Sequence, residues 1–353
     1  MTQEISLISE KDALARLTDR KDLYAPLEIL SVEPQNGRDR GFDVRISVGW
    51  RGRSVSFLAG IKTRTAPKLV SEGVWRLKST STKRANLLLI VPFLSKAIVE
   101  ILEREGMSGL DLNGNYLIQA PEMVAIRLDR ENQFTESQSI KKIFSGGSSL
   151  VGRLFLAGKR RFGSVNEVCA AIRELGGSLS LSAVSKVLKG LEDEMIIEKG
   201  SSGIALLQPE KLLQMLAEGY RSPKIAGSAK LKLPAEAGVP YRFGEPGFFE
   251  TFAGSQWVLS GESSASRYSL MADTSVSKIY IADYQPFLKY QDERFYNVLA
   301  QKTEESFPFF DMQQDRAMRW ASPVQCYLEL SKLDKREKEI AEAVREEILK
   351  KFK

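Results

Sequence analysis

The sequence contains no histidine, and this absence removes several kinds of chemistry. Histidine is the commonest general acid or base, activates serine and cysteine nucleophiles, and completes many zinc sites. Only two cysteines are present, Cys169 and Cys326, and both lie within apolar helical patterns that are typical of buried, reduced thiols. Any enzyme built from this chain therefore depends on carboxylates, lysine or hydroxyl groups.

The chain also lacks a long hydrophobic run. Its longest apolar stretch, "ANLLLIVPFL" at residues 85–94, is far shorter than the roughly 20 residues of a membrane span. The first residues do not show the basic-then-apolar order of a secretory signal. We therefore expect a cytoplasmic protein with no membrane partner.

The positive charge of the chain is concentrated in its middle. The net charge is +6, yet residues 141–232 alone hold 15 lysines and arginines against 8 acidic residues. A concentrated basic excess indicates a polyanionic partner, with nucleic acid first, whereas a solvated basic surface is the simpler alternative.

The sequence patterns predict three domains of α/β (α+β) class. The length of 353 residues already favours more than one hydrophobic core. Residues 1–135 alternate helical and strand patterns, residues 149–220 are mostly helical, and residues 235–353 alternate again. A linker that ends in "SGGSS" is expected between the first two domains.

Two strands around a basic turn, "GFDVRISVGWRGRSVSFLAGIKTR" at residues 41–64, stand out in the first domain. In a PD-(D/E)XK-type nuclease, an aspartate and a glutamate hold a divalent metal, and a lysine two residues after the glutamate orients the attacking water. Asp43 and Lys62 match this pattern, but Gly60 stands in place of the glutamate and offers no ligand. The sequence therefore predicts a restriction-endonuclease-like domain that does not cut, with Asp43 and Lys62 as remnants of a catalytic site and with no bound metal or other cofactor.

Two alternatives to this interpretation stay open. In the first alternative, Glu28 or Asp39 supplies the second carboxylate and restores a metal site. In the second, the two strands form a hairpin that is unrelated to nucleases.

A basic segment surrounds the same strands. From Arg51 to Arg84 the chain has nine lysines and arginines against one acidic residue, Glu72. A domain without a metal can still hold a phosphate backbone through such a surface. Trp50 and Trp75 are candidates for stacking on bases, although core packing is the commoner role of tryptophan. The candidate DNA-binding residues of this domain are Arg51, Arg53 and Arg64.

The middle domain has the pattern of a winged helix, with three helices followed by a two-stranded hairpin. The first of these helices is expected over "SLVGRLFLAGKRRFG" at residues 149–163. Its third helix, "SLSAVSKVLKGLEDEM", places Val184, Val187, Leu188 and Leu191 on one face by 3.6-residue spacing. The opposite face is slim and basic, and hydroxyls and lysines are suited to base edges and phosphates. The candidate DNA-binding residues are Ser182, Ser185, Lys186 and Lys189 on the helix and Lys199, Ser201 and Ser202 on the wing. The alternative is a winged helix that mediates only protein contacts.

The third domain is predicted to contain a helical stretch at residues 248–268, a strand at "SKIYIADY" and a long C-terminal helix. Ile340, Val344 and Ile348 form the expected buried stripe of that last helix.

The order of these parts resembles the AbiEi-like antitoxins of type IV toxin–antitoxin systems and related transcriptional regulators. The resemblance extends from the strands of the first domain to the C-terminus. It is carried by a strand–helix segment with a "D-x-x-GN" turn at Asp111, Gly114 and Asn115, by "LSAVSKVLKGLEDEMII", and by "WVLSGESSASRY" and "SPVQCYLELSKLDKREKEIAEAVRE".

This resemblance implies that the winged helix binds double-stranded DNA at a promoter and represses the protein's own operon. It also implies that the C-terminal domain helps to neutralise a nucleotidyltransferase-type toxin, directly or indirectly. The nuclease-like first domain is a departure, because the shortest antitoxins have no such domain.

The predicted function is that of a sequence-specific DNA-binding transcriptional regulator and, through the resemblance, the antitoxin of a type IV pair. One alternative is a metal-dependent DNA endonuclease of the restriction type that a winged helix targets to DNA. A second alternative is a protein-interaction module without DNA binding.

Overall fold

The computed structural model describes residues 9–35, 41–80, 85–134, 142–233, 252, 254–268, 276–315 and 318–353. These residues have a mixed α/β structure, as predicted, and they form two compact units. The first unit contains the described residues up to Phe134 together with 193–195. The second contains the other described residues, from 142 onward.

The first unit is built on a seven-stranded mixed sheet that curls until its third and seventh strands come close together. The strands lie in sequence order: the first three are antiparallel, the third to fifth are parallel, and the last three are antiparallel again. In chain order the elements are α1 (Glu10–Asp19), β1 (Glu28–Pro34), β2 (Val44–Trp50), β3 (Arg53–Ile61), α2 (Pro67–Thr80), β4 (Leu87–Val91), α3 (Lys96–Arg104), β5 (Ser108–Asp111), β6 (Tyr116–Ala120) and β7 (Met123–Arg127).

Strand β4 is covered on both faces, which confirms the prediction from its continuous apolar run. Parallel neighbours need a crossover connection, and α2 and α3 supply the two crossovers on either side of β4. Leu88 and Ile90 therefore lie in a core cluster with residues of α1. Leu89 and Val91 lie in a second cluster with residues of α2 and α3.

The turn between β5 and β6 contains the "D-x-x-GN" residues. Asp111 is fully buried, and its carboxylate accepts hydrogen bonds from backbone N–H groups and from Asn115 Nδ2. Burial raises the pKa of Asp111, while these donated hydrogen bonds oppose the rise because they favour the anion. Gly114 has a φ of +97°, and a β-carbon there would lie 2.6 Å from a backbone carbonyl oxygen. The motif therefore has a structural role in holding this turn.

The second unit contains a three-stranded sheet, a four-stranded sheet and a two-stranded hairpin, with helices packed around them. The strand orders are β8-β10-β9, β11-β14-β13-β12 and β15-β16. In chain order the elements are α4 (Ser149–Leu156), β8 (Arg161–Phe162), α5 (Val165–Glu174), α6 (Leu181–Asp193), β9 (Ile197–Gly200), β10 (Gly203–Leu206), α7 (Pro209–Gly219), β11 (Gly227–Leu231), β12 (Trp257–Leu259), α8 (Gly261–Tyr268), β13 (Ser277–Ile281), β14 (Val298–Lys302), β15 (Gln313–Asp315), β16 (Met318–Trp320), α9 (Pro323–Leu330) and α10 (Lys335–Lys350).

Two predicted helices of this unit are wrong in their extent. The helix expected over residues 149–163 ends at Leu156, and β8 then joins the sheet beside β10. The helical stretch expected at residues 248–268 contains strand β12, although α8 is helical; residues 248–251 and 253 lie outside the described residues. All three side chains of β12 are buried, so neither a strand period nor a helix period is visible there.

Helix α4 carries a fully buried cation, Arg153. Its guanidinium donates to Ser149 Oγ within the helix, and to Phe307 O and Gln325 Oε1 from the C-terminal part of the unit. Gln325 in turn donates through Nε2 to the carboxylate of Glu329, so one amide bridges the cation and the anion. Burial lowers the pKa of Arg153 to about 10 and raises the pKa of Glu329. Arg153 therefore stays protonated at neutral pH.

The C-terminal helix α10 packs as predicted. Ile340, Val344 and Ile348 are buried on one side of it. Within the described residues, no helix combines the length and the apolar character needed to cross a membrane.

Candidate functional site

Helix α6 has one buried apolar face and one exposed polar face, as predicted. Its buried side chains are Val184, Val187, Leu188 and Leu191, and its exposed ones include Ser182, Ser185, Lys186 and Lys189. Because positions three and four residues apart lie side by side on a helix, the two hydroxyls and the two ammonium groups form one surface. This surface is called the α6 face below.

Local sequence signals fix where α5 and α6 begin and end. Ser164 caps α5 by accepting a hydrogen bond from Glu167 N, and Gly176 follows the helix with a φ of +83°. Ser180 Oγ then accepts a hydrogen bond from Ala183 N at the start of α6. The segment that connects α5 to α6 thus supplies the hydrogen bond that fixes the start of α6, and with it the position of the α6 face.

The turn between β9 and β10 exposes Ser201 and Ser202, as predicted for the wing. Lys199 is different, because its Nζ lies 3.8 Å from Glu192 Oε2 at the end of α6. Both side chains are partly buried, so this ion pair joins α6 to the hairpin. The ammonium group of Lys199 therefore already has a carboxylate as its partner, which weakens the prediction that it binds a DNA phosphate.

Arg161 on β8 is a cation that the sequence interpretation missed. Its Nη1 donates to Ser202 Oγ at 2.9 Å and lies 3.4 Å from Ser202 O, so the guanidinium lies against the β9–β10 turn. The only sequence signal for this cation was the basic run "KRRF" at residues 159–162, which lies in the helix predicted over residues 149–163. Strand pairing of Arg161 with Ala205 places it at this edge of the sheet.

The other two cations of that run have partners elsewhere. Lys159 forms an ion pair with Glu167 on α5. Arg160 donates to Lys351 O and stacks 5.0 Å from the ring centre of Phe352, at the end of the chain. Of the three adjacent cations, Arg161 alone contacts the β9–β10 turn.

In the first unit, Asp43, Gly60 and Lys62 come together as the sequence predicted. All three line one cavity of about 10 Å³, between the ends of β2 and β3 and helix α2. Asp43 Oδ2 accepts a hydrogen bond from Ile61 N at 2.8 Å, and its Oδ1 lies 3.5 Å from Arg76 Nη2. Both carboxylate oxygens thus have protein partners.

Helix α2 packs closely against the position that a second carboxylate would take. A β-carbon at Gly60 would lie 3.1 Å from Leu77 Cδ1, so the end of the Leu77 side chain would have to shift by a few tenths of an ångström to admit a larger residue. The chain of Lys62 lies against Gly73, where a β-carbon would approach Lys62 Cε to 2.4 Å. A cavity of this size holds at most one water molecule, which is too little for a hydrated metal ion and a phosphodiester.

Glu28 does not supply the second carboxylate of the alternative in which a metal site is restored. It pairs with Gly49, whereas Asp43 lies next to Val44 at the other end of β2, which is about 20 Å away at ~3.3 Å per residue. Asp39 lies outside the described residues.

A carboxylate that the sequence interpretation did not consider, Glu10, lines an open pocket of about 510 Å³ together with Asp43, Lys11 and Arg76. Across the described ranges, no group of three or more acidic or cysteine side chains is placed to hold a metal ion.

The candidate DNA-binding arginines of the first unit lie at the two ends of β3. Arg51 and Arg53 lie at the β2–β3 turn, and Arg51 stacks 5.8 Å from the ring centre of Trp50. Arg64 follows the opposite end of β3, about 30 Å along the strand at ~3.3 Å per residue. Trp75 is 73% exposed on α2, whereas Trp50 packs against the core.

No protein-family model, curated protein or solved structure matches this chain. The function must therefore be argued from the residues and contacts described above.

Proposed function

We propose that the chain is a DNA-binding regulator in which residues 149–220 form a winged helix that inserts α6 into the major groove. The α6 face carries this proposal, because it combines exposed hydroxyls and lysines on a helix whose other face is buried. Three helices, a strand between the first two, and a final hairpin are the elements of such a domain.

The chemistry of the α6 face suits duplex DNA. Serine hydroxyls donate to and accept from base edges, and lysines neutralise phosphates. Between Leu181 and Leu191 the helix has no acidic residue. The first acidic residue after this stretch is Glu192, and its charge is offset by Lys199. A helix face of this kind attracts a polyanion along its whole length.

Binding is tested with the purified chain and a fluorescein-labelled duplex of mixed sequence, of about 30 base pairs. We expect binding of the duplex, with dissociation constants of about 10⁻⁶–10⁻⁴ M for non-specific DNA at physiological salt. The alternative of a module that contacts only proteins predicts no polarisation change at any protein concentration.

We further propose that the first unit has a nuclease-like fold that does not cut DNA. Two observations support this proposal: the Asp43 carboxylate already has Ile61 N and Arg76 as partners, and the cavity that it shares with Gly60 and Lys62 has a volume of only about 10 Å³. Lys62 then remains as a cation beside this cavity, without a metal-bound water to orient.

We expect no cleavage when the protein is incubated for hours with plasmid DNA and Mg²⁺ or Mn²⁺. The variant Gly60→Glu is also expected to be inactive, because Leu77 occupies the space beside residue 60. The measurement is the loss of supercoiled plasmid on a gel. Cleavage that both a chelator and Asp43→Ala abolish would contradict the proposal, and it would favour the endonuclease alternative with Glu10 as the second carboxylate.

Repression of its own operon and neutralisation of a nucleotidyltransferase-type toxin are proposals that depend on the sequence resemblance alone. The D-x-x-GN residues are part of this resemblance, and their role in stabilising the turn between β5 and β6 is enough to explain their presence.

A further inference from the structure

Arg161 is an exposed cation at the edge of the three-stranded sheet, and its position is fixed by two independent features. Its backbone belongs to β8, which pairs with β10. Its Nη1 group contacts both the hydroxyl and the carbonyl oxygen of Ser202 at the β9–β10 turn. The guanidinium is therefore held beside the turn and does not sample solvent freely.

The contacts of Arg161 with Ser202 do not use all of the N–H donors of its guanidinium. A guanidinium has five N–H donors, and only Nη1 is engaged by Ser202. Within the part of the chain that the structure describes, no acidic side chain forms an ion pair with Arg161. Neighbouring Lys199, Lys159 and Arg160 are bound to Glu192, Glu167 and the C-terminal residues, respectively.

We propose that Arg161 is the cation through which the β9–β10 turn contacts a DNA phosphate, in the role that the sequence had assigned to Lys199. This inference depends on the proposed DNA binding by α6. A planar guanidinium with one edge anchored to protein presents its remaining donors in a fixed direction, which suits the tetrahedral oxygens of a phosphate. Ser201 and Ser202 then add hydroxyl donors at the same turn.

The test compares Arg161→Gln with Arg160→Gln, two adjacent exposed arginines of which only the first contacts the turn. The probe is the labelled mixed-sequence duplex, titrated at several salt concentrations from about 50 to 200 mM. One lost phosphate contact lowers the salt slope by about 0.9, which corresponds to roughly eightfold weaker binding near 0.1 M salt. We expect this change for Arg161→Gln, a change of less than about twofold for Arg160→Gln, and retention of the slope in Arg161→Lys.

The outcomes separate this inference from the function on which it depends. Wild-type affinity and slope in Arg161→Gln would overturn the assignment while leaving DNA binding by α6 intact. Equal losses in both glutamine variants would also overturn it, because they would indicate a general charge effect. If the loss of affinity in Arg161→Gln depended on the sequence of the duplex, Arg161 would contact a base, and the assignment of a phosphate contact would be overturned. Absence of binding by the wild-type protein would remove both the inference and the proposed function.

Discussion

The double variant Lys186→Ala/Lys189→Ala is expected to bind duplex DNA about 60-fold more weakly than the wild type near 0.1 M salt. Each lysine that contacts a phosphate contributes about 0.9 to the slope of log affinity against log salt, so the loss of two lowers the slope by about 1.8. Both side chains are exposed and opposite the buried face of α6, so the fold should be unaffected. Fluorescence polarisation measures the affinity, and thermal unfolding monitored by circular dichroism checks the fold.

The matched control is Lys335→Ala/Lys338→Ala on α10. These two lysines are also exposed and three residues apart on a helix, and the net charge changes by the same amount. We expect the control to lower the affinity by less than about threefold, through long-range electrostatics alone. If the two double variants weakened binding equally, the α6 face would not be the DNA-binding surface.

The variant Arg153→Met is expected to lower the free energy of unfolding by about 3–5 kcal/mol, the usual cost of removing one partner from a buried charged network. Phe307 O and Gln325 Oε1 lose their donor, and the carboxylate of Glu329 loses the cation that Gln325 links to it. Because these contacts join α4 to the C-terminal part of the same compact unit, the loss should appear in the unfolding of that unit. Urea denaturation followed by circular dichroism measures the change.

A double-mutant cycle shows whether the buried network is the cause. With Glu329→Gln as the second change, the double variant should lose less than the sum of the single losses, by at least about 1 kcal/mol, because the two groups are coupled through Gln325. Additive losses would mean that Arg153 stabilises the unit without coupling to Glu329, through its own contacts with Ser149, Phe307 and Gln325.

The faces of α6 and the double burial of β4 were predictable because one local sequence pattern determines each of them. Val184, Val187, Leu188 and Leu191 recur with the period of a helix, and the serines and lysines of the opposite side are exposed. The run that forms β4 is apolar at every position, which only a strand covered on both faces requires.

Helix α4 shows where this reasoning fails. Its sequence includes an arginine and two small residues, which is typical of a helix with a solvent-exposed side, yet all eight of its residues are buried. Two of the three hydrogen-bond partners of Arg153, Phe307 and Gln325, lie more than 150 positions later in the chain. Pairings over such distances leave no local signal, and the same holds for the contact between Arg161 and Ser202.

The cavity lined by Asp43, Gly60 and Lys62 was only partly predictable. Strand register brings Asp43 beside Ile61, and the pattern of the two strands was enough to expect this. No pattern in the sequence indicated that Leu77 of α2 lies against Gly60, because this contact depends on how the helix packs. Glu10 was overlooked for the same reason, since α1 is distant from β2 in sequence.

The salt dependence of DNA binding by the wild-type protein tests the central proposal most directly. Lys186, Lys189 and Arg161 together predict a slope of log affinity against log salt of about −2.7 or steeper, because each phosphate contact releases counterions. The measurement is a polarisation titration of the labelled duplex between about 50 and 200 mM salt. Binding with a slope near zero, or no binding at the lowest salt, would contradict DNA recognition by the α6 face and the β9–β10 turn.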